Sequence, residues 1–98
     1  MTLNSKQRAY LMGLANTLEP QMQIGKNGAS PETVASVEEL FNNRELVKLS
    51  ILKTAPDEVR QIAETVAGRT RSTLVRVIGR RFVLYRPDKD APKIVLPK

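Results

Sequence analysis

Helical and strand patterns alternate along the chain, and this alternation constrains the fold more than any other feature. Apolar residues recur with helical spacing in three segments, 5–18, 31–41 and 56–67. Patterns typical of strands occupy four shorter segments, 22–24, 47–51, 73–78 and 82–86. Strands joined through a helix form right-handed parallel crossovers, whereas the tight turn at 79–81 makes the last two strands antiparallel. We therefore predict an α/β protein, a small layered sandwich in the order α-β-α-β-α-β-β with a mixed four-stranded sheet.

The third helical segment has the clearest apolar stripe, at i, i+3, i+4, i+7 and i+8. The stripe consists of Val59, Ile62, Ala63, Val66 and Ala67. We expect this helix to begin near Pro56, with Asp57 and Glu58 in its first turn. Gly68 is expected to stop it, because glycine favours the end of a helix.

The first helical segment runs from Ser5 to Leu18, with Asn4 or Ser5 available as its N-terminal cap. Its predicted apolar face consists of Tyr10, Leu11, Leu14, Ala15 and Leu18. The strands are apolar on both faces: one carries Val47, Val75 and Val77, and the other carries Leu46, Leu52, Leu74 and Ile78. We expect the first helix to cover part of the second face.

The 98 residues are sufficient for one domain with one core. The ordered body is predicted at 3–86, and 87–98 are predicted to form a less regular tail, because prolines and aspartates interrupt it.

No apolar run approaches the roughly 20 residues of a membrane span. The first residues, MTLNSKQR, lack the apolar core of a signal peptide. We expect a cytoplasmic monomer that does not bind membranes.

The charge balance points to a polyanionic partner. Lys and Arg number 16, Asp and Glu number 10, and the net charge is +6. Between Gly68 and Pro87 there are six arginines and no acid. The alternative is a cationic surface that only aids solubility.

Cysteine and histidine are both absent from the chain. A disulfide framework, a zinc site with the usual ligands, and catalysis by a thiol or imidazole are therefore excluded. The neighbouring carboxylates Glu38 and Glu39 point to different sides of a helix, so they do not form a catalytic pair. We predict a protein that is not an enzyme and has no catalytic residues, metal or cofactor.

The loop Gly25-Lys26-Asn27-Gly28 stands between a strand and a helix that begins with the cap Ser30 and with Pro31. Glycines let a backbone approach a ligand closely, and the free N–H groups of the first helical turn are expected to point the same way. The loop is either a phosphate-binding site, as the GXXG loop of KH domains is, or a flexible turn.

The second candidate is the hairpin tip, where Arg80 and Arg81 offer planar donors that suit phosphate oxygens. The alternative is a solvated turn whose charges discourage aggregation. Arg76 and Arg86 are predicted to extend this basic stripe, although one of them can instead pair with an acid on a helix. Tyr85 can stack on a base, but we favour a core position for it.

Lys6 and Arg8, in the first turn of the first helix, are the remaining candidate residues for contact with a polyanion. Both oppose the helix dipole there, which favours a function for their charges.

The segments LNSKQRAYLMGLANTLEPQMQIGKNG, RELVKLSIL and VRVIGRRFVLYRP, in this order, resemble the CRM domain, the chloroplast RNA splicing and ribosome maturation module. The resemblance spans nearly the whole chain. It implies a fold similar to the C-terminal domain of bacterial translation initiation factor three, and RNA binding. The family's glycine loop falls on Gly25, Lys26, Asn27 and Gly28, and GRRFVLYR matches the other well-marked family segment.

Stand-alone bacterial members of this family are associated with precursors of the large ribosomal subunit. The resemblance therefore implies ribosomal RNA as the partner. The alternative is an adaptor that binds a ribosomal protein or an assembly factor, with incidental RNA contact. A nuclease or RNA-modifying enzyme is a third hypothesis, and the missing His and Cys count against it.

Overall fold

The computed structural model describes residues 2–98, which form three helices and four strands in the predicted order. Their bounds are α1 Ser5–Ala15, β1 Met22–Ile24, α2 Pro31–Leu40, β2 Leu46–Ile51, α3 Val59–Thr70, β3 Thr73–Ile78 and β4 Arg81–Tyr85. The strands form one mixed sheet in the order β1-β2-β4-β3. The predicted α/β sandwich is confirmed. None of the helices within residues 2–98 has the length and apolar character needed to span a bilayer.

The strand directions bring several chain reversals to one end of the sheet. β1 runs parallel to β2, and β4 is antiparallel to both β2 and β3. The connection through α3 leaves a space between β2 and β3, and β4 fills it. As a result β1, β2 and β3 all end where β4 begins.

The sheet separates two apolar cores, where we expected one, because helices cover both of its faces. The larger core lies against α2 and α3 and includes Ile24, Val37, Leu49, Ile62, Val66, Phe82 and Leu84. The smaller core lies against α1 and includes Leu3, Leu11, Met12, Ala15, Leu46, Val75, Val83 and Tyr85. The prediction that the first helix covers part of the second face is confirmed: Leu46 packs beneath α1, whereas Leu52 and Ile78 are exposed.

A β-bulge in β3 exchanges the faces predicted for two of its residues. Val75 packs in the core under α1, whereas Leu74 packs against the core under α2 and α3. The register shifts between Leu74, opposite Leu84, and Arg76, opposite Val83. One extra residue in a strand reverses the alternation of faces, so the predicted placement of Val75 and Leu74 was wrong.

α1 ends at Ala15, three residues before the predicted end. The ammonium group of Lys48 donates to the carbonyl oxygens of Ala15 at 3.2 Å and Leu18 at 3.1 Å, and so satisfies acceptors at the helix end. Tyr10 and Leu14 are 42% and 38% exposed, and the prediction that they belong to the buried face was wrong.

The caps of the first two helices were predicted correctly. The Asn4 side chain accepts from the Gln7 N–H at 2.8 Å, and the Gln7 side chain accepts from the Asn4 N–H at 3.1 Å. Ser30 caps α2 through the Thr33 N–H, with Pro31 in the first helical position.

α3 begins at Val59, preceded by Glu58 as its N-cap, and continues through Gly68 to Thr70. Gly68 therefore does not stop it, and Asp57 and Glu58 precede the first turn. Arg71 takes the left-handed conformation instead, with φ 57°. The Arg71 and Ser72 N–H groups donate to the carbonyls of Gly68 and Ala67, which closes the helix in a Schellman motif.

The tail, residues 87–98, has no helix or strand but is held against the body by Glu45. This buried carboxylate accepts the N–H groups of Asp88, Lys93 and Ile94. Burial raises the pKa of Glu45, but the three donors together outweigh it and leave the pKa below its usual value. Ile94 and Leu96 also pack against the core under α1.

Candidate nucleic-acid interface

The predicted glycine loop is a tight turn in which the Gly28 N–H donates to the Gly25 carbonyl at 2.9 Å. Gly28 is buried and has φ 55°, a conformation that favours glycine. A Cβ there would also lie 3.1 Å from Cγ of Pro56. Both the backbone angle and the packing against Pro56 therefore favour glycine at Gly28.

Lys26 and Asn27 occupy the exposed corner of this turn. Within residues 2–98 neither of their N–H groups finds an acceptor. An anion at the corner can therefore meet the Lys26 ammonium and two backbone donors.

The start of α2 supplies fewer free N–H groups than we expected: within residues 2–98 the Glu32 N–H has no acceptor, but its neighbours are used or absent. Pro31 has no N–H, the Thr33 N–H donates to the Ser30 hydroxyl at 3.2 Å, and the Val34 N–H donates to the Ser30 carbonyl at 3.0 Å. Glu32 also places a carboxylate in the first turn. The helix start therefore offers an anion one backbone donor beside a carboxylate, and the turn at Lys26 and Asn27 offers two donors and an ammonium group.

A second turn lies directly beside the glycine loop. The Ala55 N–H donates to the Leu52 carbonyl at 3.1 Å, and the Leu52 N–H donates to the Ile24 carbonyl at 2.8 Å. Lys53 is exposed at this turn. The sequence analysis missed Lys53, although parallel strands end at the same side of a sheet and β1 and β2 were both predicted.

The hairpin tip is fixed against the end of β2 by Arg80. Its guanidinium donates from Nε to the Ile51 carbonyl at 2.8 Å and from Nη2 to the Leu52 carbonyl. The Ile51 N–H donates back to the Arg80 carbonyl at 2.7 Å. Much of the donor capacity of Arg80 is therefore used inside the protein.

Arg81 is exposed and has no hydrogen bond or ion pair from its side chain within residues 2–98. It stands opposite Ser50 on β2 and Ile78 on β3. Arg76 is also exposed and lines the same cleft as Arg81, beside Met12 of α1. These two arginines form a basic strip beside α1, on the part of that face of the sheet that α1 does not cover.

The glycine loop and the hairpin tip lie on one surface. The turns at 25–28, 52–55 and 79–81, which we call the turn edge, all stand at the end of the sheet where β4 begins. β1 and β4 are two strand spacings apart, or about 10 Å. Lys26, Lys53 and Arg81 are thus three exposed cations on neighbouring chain reversals.

The other predicted residues lie elsewhere. Arg86 donates to both carboxylate oxygens of Glu38 at 3.0 Å, and its guanidinium lies 4.5 Å from the centre of the Phe41 ring. The expectation that one arginine pairs with an acid on a helix is therefore confirmed for Arg86. Arg8 donates to the carbonyls of Leu74 and Val75 at the bulge.

Both Arg8 and Arg86 stand near the opposite end of the sheet from the turn edge. Lys6 is exposed in the first turn of α1. Tyr85 is buried in the core under α1, as predicted, and its pKa is raised by burial and by the charge of Glu45. Within residues 2–98, His, Cys, Asp and Glu side chains form no group of three that could hold a metal ion.

Comparison with known proteins places these features in context. Residues 3–86 match the family model of the CRS1/YhbY (CRM) domain. A Bacillus subtilis protein named "Probable RNA-binding protein YqeI" is 35% identical over 97% of this chain and 99% of its own length. A Haemophilus influenzae protein named "RNA-binding protein" is 35% identical over 99% of this chain and 97% of its own length.

A solved structure is also similar to this chain in both fold and sequence. The solution structure of the hypothetical protein SAV1595 from Staphylococcus aureus, whose description proposes RNA binding, is 40% identical in sequence. It covers 98% of this chain and 100% of its own, with a TM-score of 0.81.

Proposed function

The chain belongs to the CRS1/YhbY (CRM) domain family, and on this basis we propose that it is a cytoplasmic, monomeric RNA-binding protein without enzymatic activity. Its target is ribosomal RNA in precursors of the large subunit. Relatives that are named RNA-binding proteins support RNA as the ligand. The association of stand-alone bacterial members with large-subunit precursors supports ribosomal RNA.

The observation that carries the proposed site is the convergence of three exposed cations at the turn edge. Lys26, Lys53 and Arg81 have no carboxylate partner within residues 2–98, so their charges are free for phosphate groups. Arg80 holds the hairpin tip in place, and Gly28 holds the glycine loop. The site is therefore a set of charges on a rigid frame.

Recognition at this edge is directed at the sugar-phosphate backbone. Of the four aromatic residues in the chain, Phe41, Phe82 and Tyr85 are buried, and Tyr10 lies on α1, outside the three turns of the turn edge. Without an aromatic side chain there, stacking on splayed bases contributes little. Charge and shape dominate, as they do for proteins that bind folded or double-stranded RNA.

Affinity for RNA is expected to fall steeply with salt. Three phosphate contacts release counterions with a slope of about −2 to −3 in a plot of log K against log salt concentration. Binding to deproteinised large-subunit ribosomal RNA should therefore weaken by about 20- to 40-fold between 50 and 200 mM salt. A filter-binding or anisotropy titration measures this. An affinity that is unchanged over this range would contradict the electrostatic mechanism.

The adaptor function has one observation in its favour. Tyr10 and Leu14 lie four residues apart on α1, and both are exposed, as an apolar contact for a partner protein would be. The same titration separates the two functions. An adaptor with incidental RNA contact would not bind deproteinised RNA with useful affinity, whereas the proposed RNA-binding protein binds it without any partner protein.

A further inference from the structure

A cleft at the opposite end of the sheet from the turn edge is lined by three arginines and by no acid. It lies between α1, the end of α3 and the start of β3. We call it the Arg71 cleft, and its lining includes Arg8, Gly68, Arg71, Ser72, Thr73 and Arg86. An acid-free cleft with several guanidinium groups is a favourable place for an anion.

Helix stability explains the positive charge of Arg71 at the C-terminal end of α3, but it does not explain the backbone conformation of Arg71. It has φ 57° and ψ 35° and takes the left-handed position of the Schellman motif, where glycine is strongly preferred. The chain instead places Gly68 inside the helix and an arginine at the strained position. Within residues 2–98 the Arg71 side chain is exposed and makes no hydrogen bond or ion pair. A function outside the folded chain accounts for an arginine held in this conformation.

The neighbouring charges favour the binding of an external anion at Arg71 over an ion pair between Arg71 and a carboxylate of the protein itself. Arg8 donates to two backbone carbonyls and has no acidic partner among residues 2–98, so its charge is not neutralised. Arg86 is neutralised by Glu38, and an adjoining cleft that Arg71 and Arg86 also line contains Glu38, Asp88 and Asp90. Within residues 2–98 none of these carboxylates forms an ion pair with Arg71. Carbonyls at the end of α3 already accept hydrogen bonds, from Ser72, from Arg71 and from Arg86. Few unsatisfied acceptors therefore remain to repel an anion.

We propose that the Arg71 cleft is a second phosphate-binding site for the same RNA, with Arg71 as the direct ligand and Arg8 as a fixed positive charge. This inference rests on the proposed function. The six residues of β3 separate the cleft from the turn edge, a distance of about 20 Å. The exposed side chain of Arg76 lies between the two sites. An RNA that contacts both sites must follow the open edge of the sheet along β3.

The test uses Arg71→Gly and Arg71→Asn, because both residues tolerate the left-handed conformation. Each variant removes one phosphate contact, so the affinity for deproteinised large-subunit ribosomal RNA should fall about fivefold at 150 mM salt, and the salt slope should shrink by about 0.9. The melting temperature should stay the same or rise by a few degrees. Arg69→Gln, which removes a charge two residues away on α3, is the matched control and should keep its affinity.

The outcomes separate the second site from the proposed function. If the Arg71 variants bind as tightly as the wild type while charge reversal at the turn edge abolishes binding, the second site is wrong and the proposed function stands. If both Arg71 variants lose thermal stability together with affinity, Arg71 has a structural role and the second site is wrong. If the wild type does not bind RNA, both inferences fail.

Discussion

The double variant Lys26→Glu/Arg81→Glu binds large-subunit ribosomal RNA at least about 100-fold more weakly than the wild type, if the turn edge is the principal site. Removing two phosphate contacts accounts for about 30-fold at physiological salt, and the new negative charges add repulsion. A 100-fold loss corresponds to about 2.8 kcal/mol of binding free energy. Affinity measured by anisotropy at 150 mM salt checks this.

The double variant changes only side chains that make no contact needed for the fold. Arg80 is excluded because its guanidinium holds the hairpin tip to the carbonyls of Ile51 and Leu52, so its substitution would disturb the frame. Lys26 and Arg81 are exposed and lack internal partners within residues 2–98, so the double variant should keep its melting temperature.

The matched control is Lys93→Glu/Lys98→Glu, which changes the net charge by the same amount on the exposed tail. It should bind RNA within a fewfold of the wild type. Equal losses in the two double variants would mean that net charge alone determines binding, which contradicts a specific site at the turn edge.

Glu45→Gln is expected to lower the free energy of unfolding by about 2–4 kcal/mol at neutral pH. Three backbone N–H groups point at the carboxylate, and an amide offers one acceptor oxygen and two hydrogens that face these donors. Urea unfolding measures the loss. Hydrogen exchange at Asp88, Lys93 and Ile94 should accelerate first, because the tail detaches before the body unfolds.

The contribution of Glu45 to the free energy of unfolding decreases at low pH. Because its pKa is lowered in the folded protein, its stabilisation is fully present above the unfolded value of about 4.3 and is lost as the pH falls through the folded value. The difference in stability between the wild type and Glu45→Gln should therefore shrink as the pH falls below the unfolded pKa of Glu45. Glu39→Gln, on an exposed surface of α2, is the control. A difference that stays constant down to the lowest accessible pH would contradict this role.

The order of elements and their caps could be predicted because they depend on neighbouring residues. Asn4 and Ser30 bond to N–H groups within three residues, and the apolar stripe of α3 is visible in its spacing. The bulge at Val75 could not be predicted, because it depends on the register with β4. The end of α3 was missed because Arg71, rather than Gly68, takes the left-handed position.

The candidate site was predictable in part. The glycine loop and the hairpin tip are visible as motifs, and their shared surface follows from strand directions. The internal roles of Arg80 and Arg8 depend on backbone carbonyls that are distant in sequence, at Ile51 and at Val75. No local pattern reveals such partners, so exposed and internally bonded arginines look alike in the sequence.

The most direct test of the proposed function is ultraviolet crosslinking of the protein to large-subunit ribosomal RNA, with crosslinked residues identified by mass spectrometry. Crosslinks should concentrate in the turns at 25–28, 52–55 and 79–81. Crosslinks confined to the tail and to the exposed side of α1, around Tyr10 and Leu14, would contradict RNA binding at the turn edge.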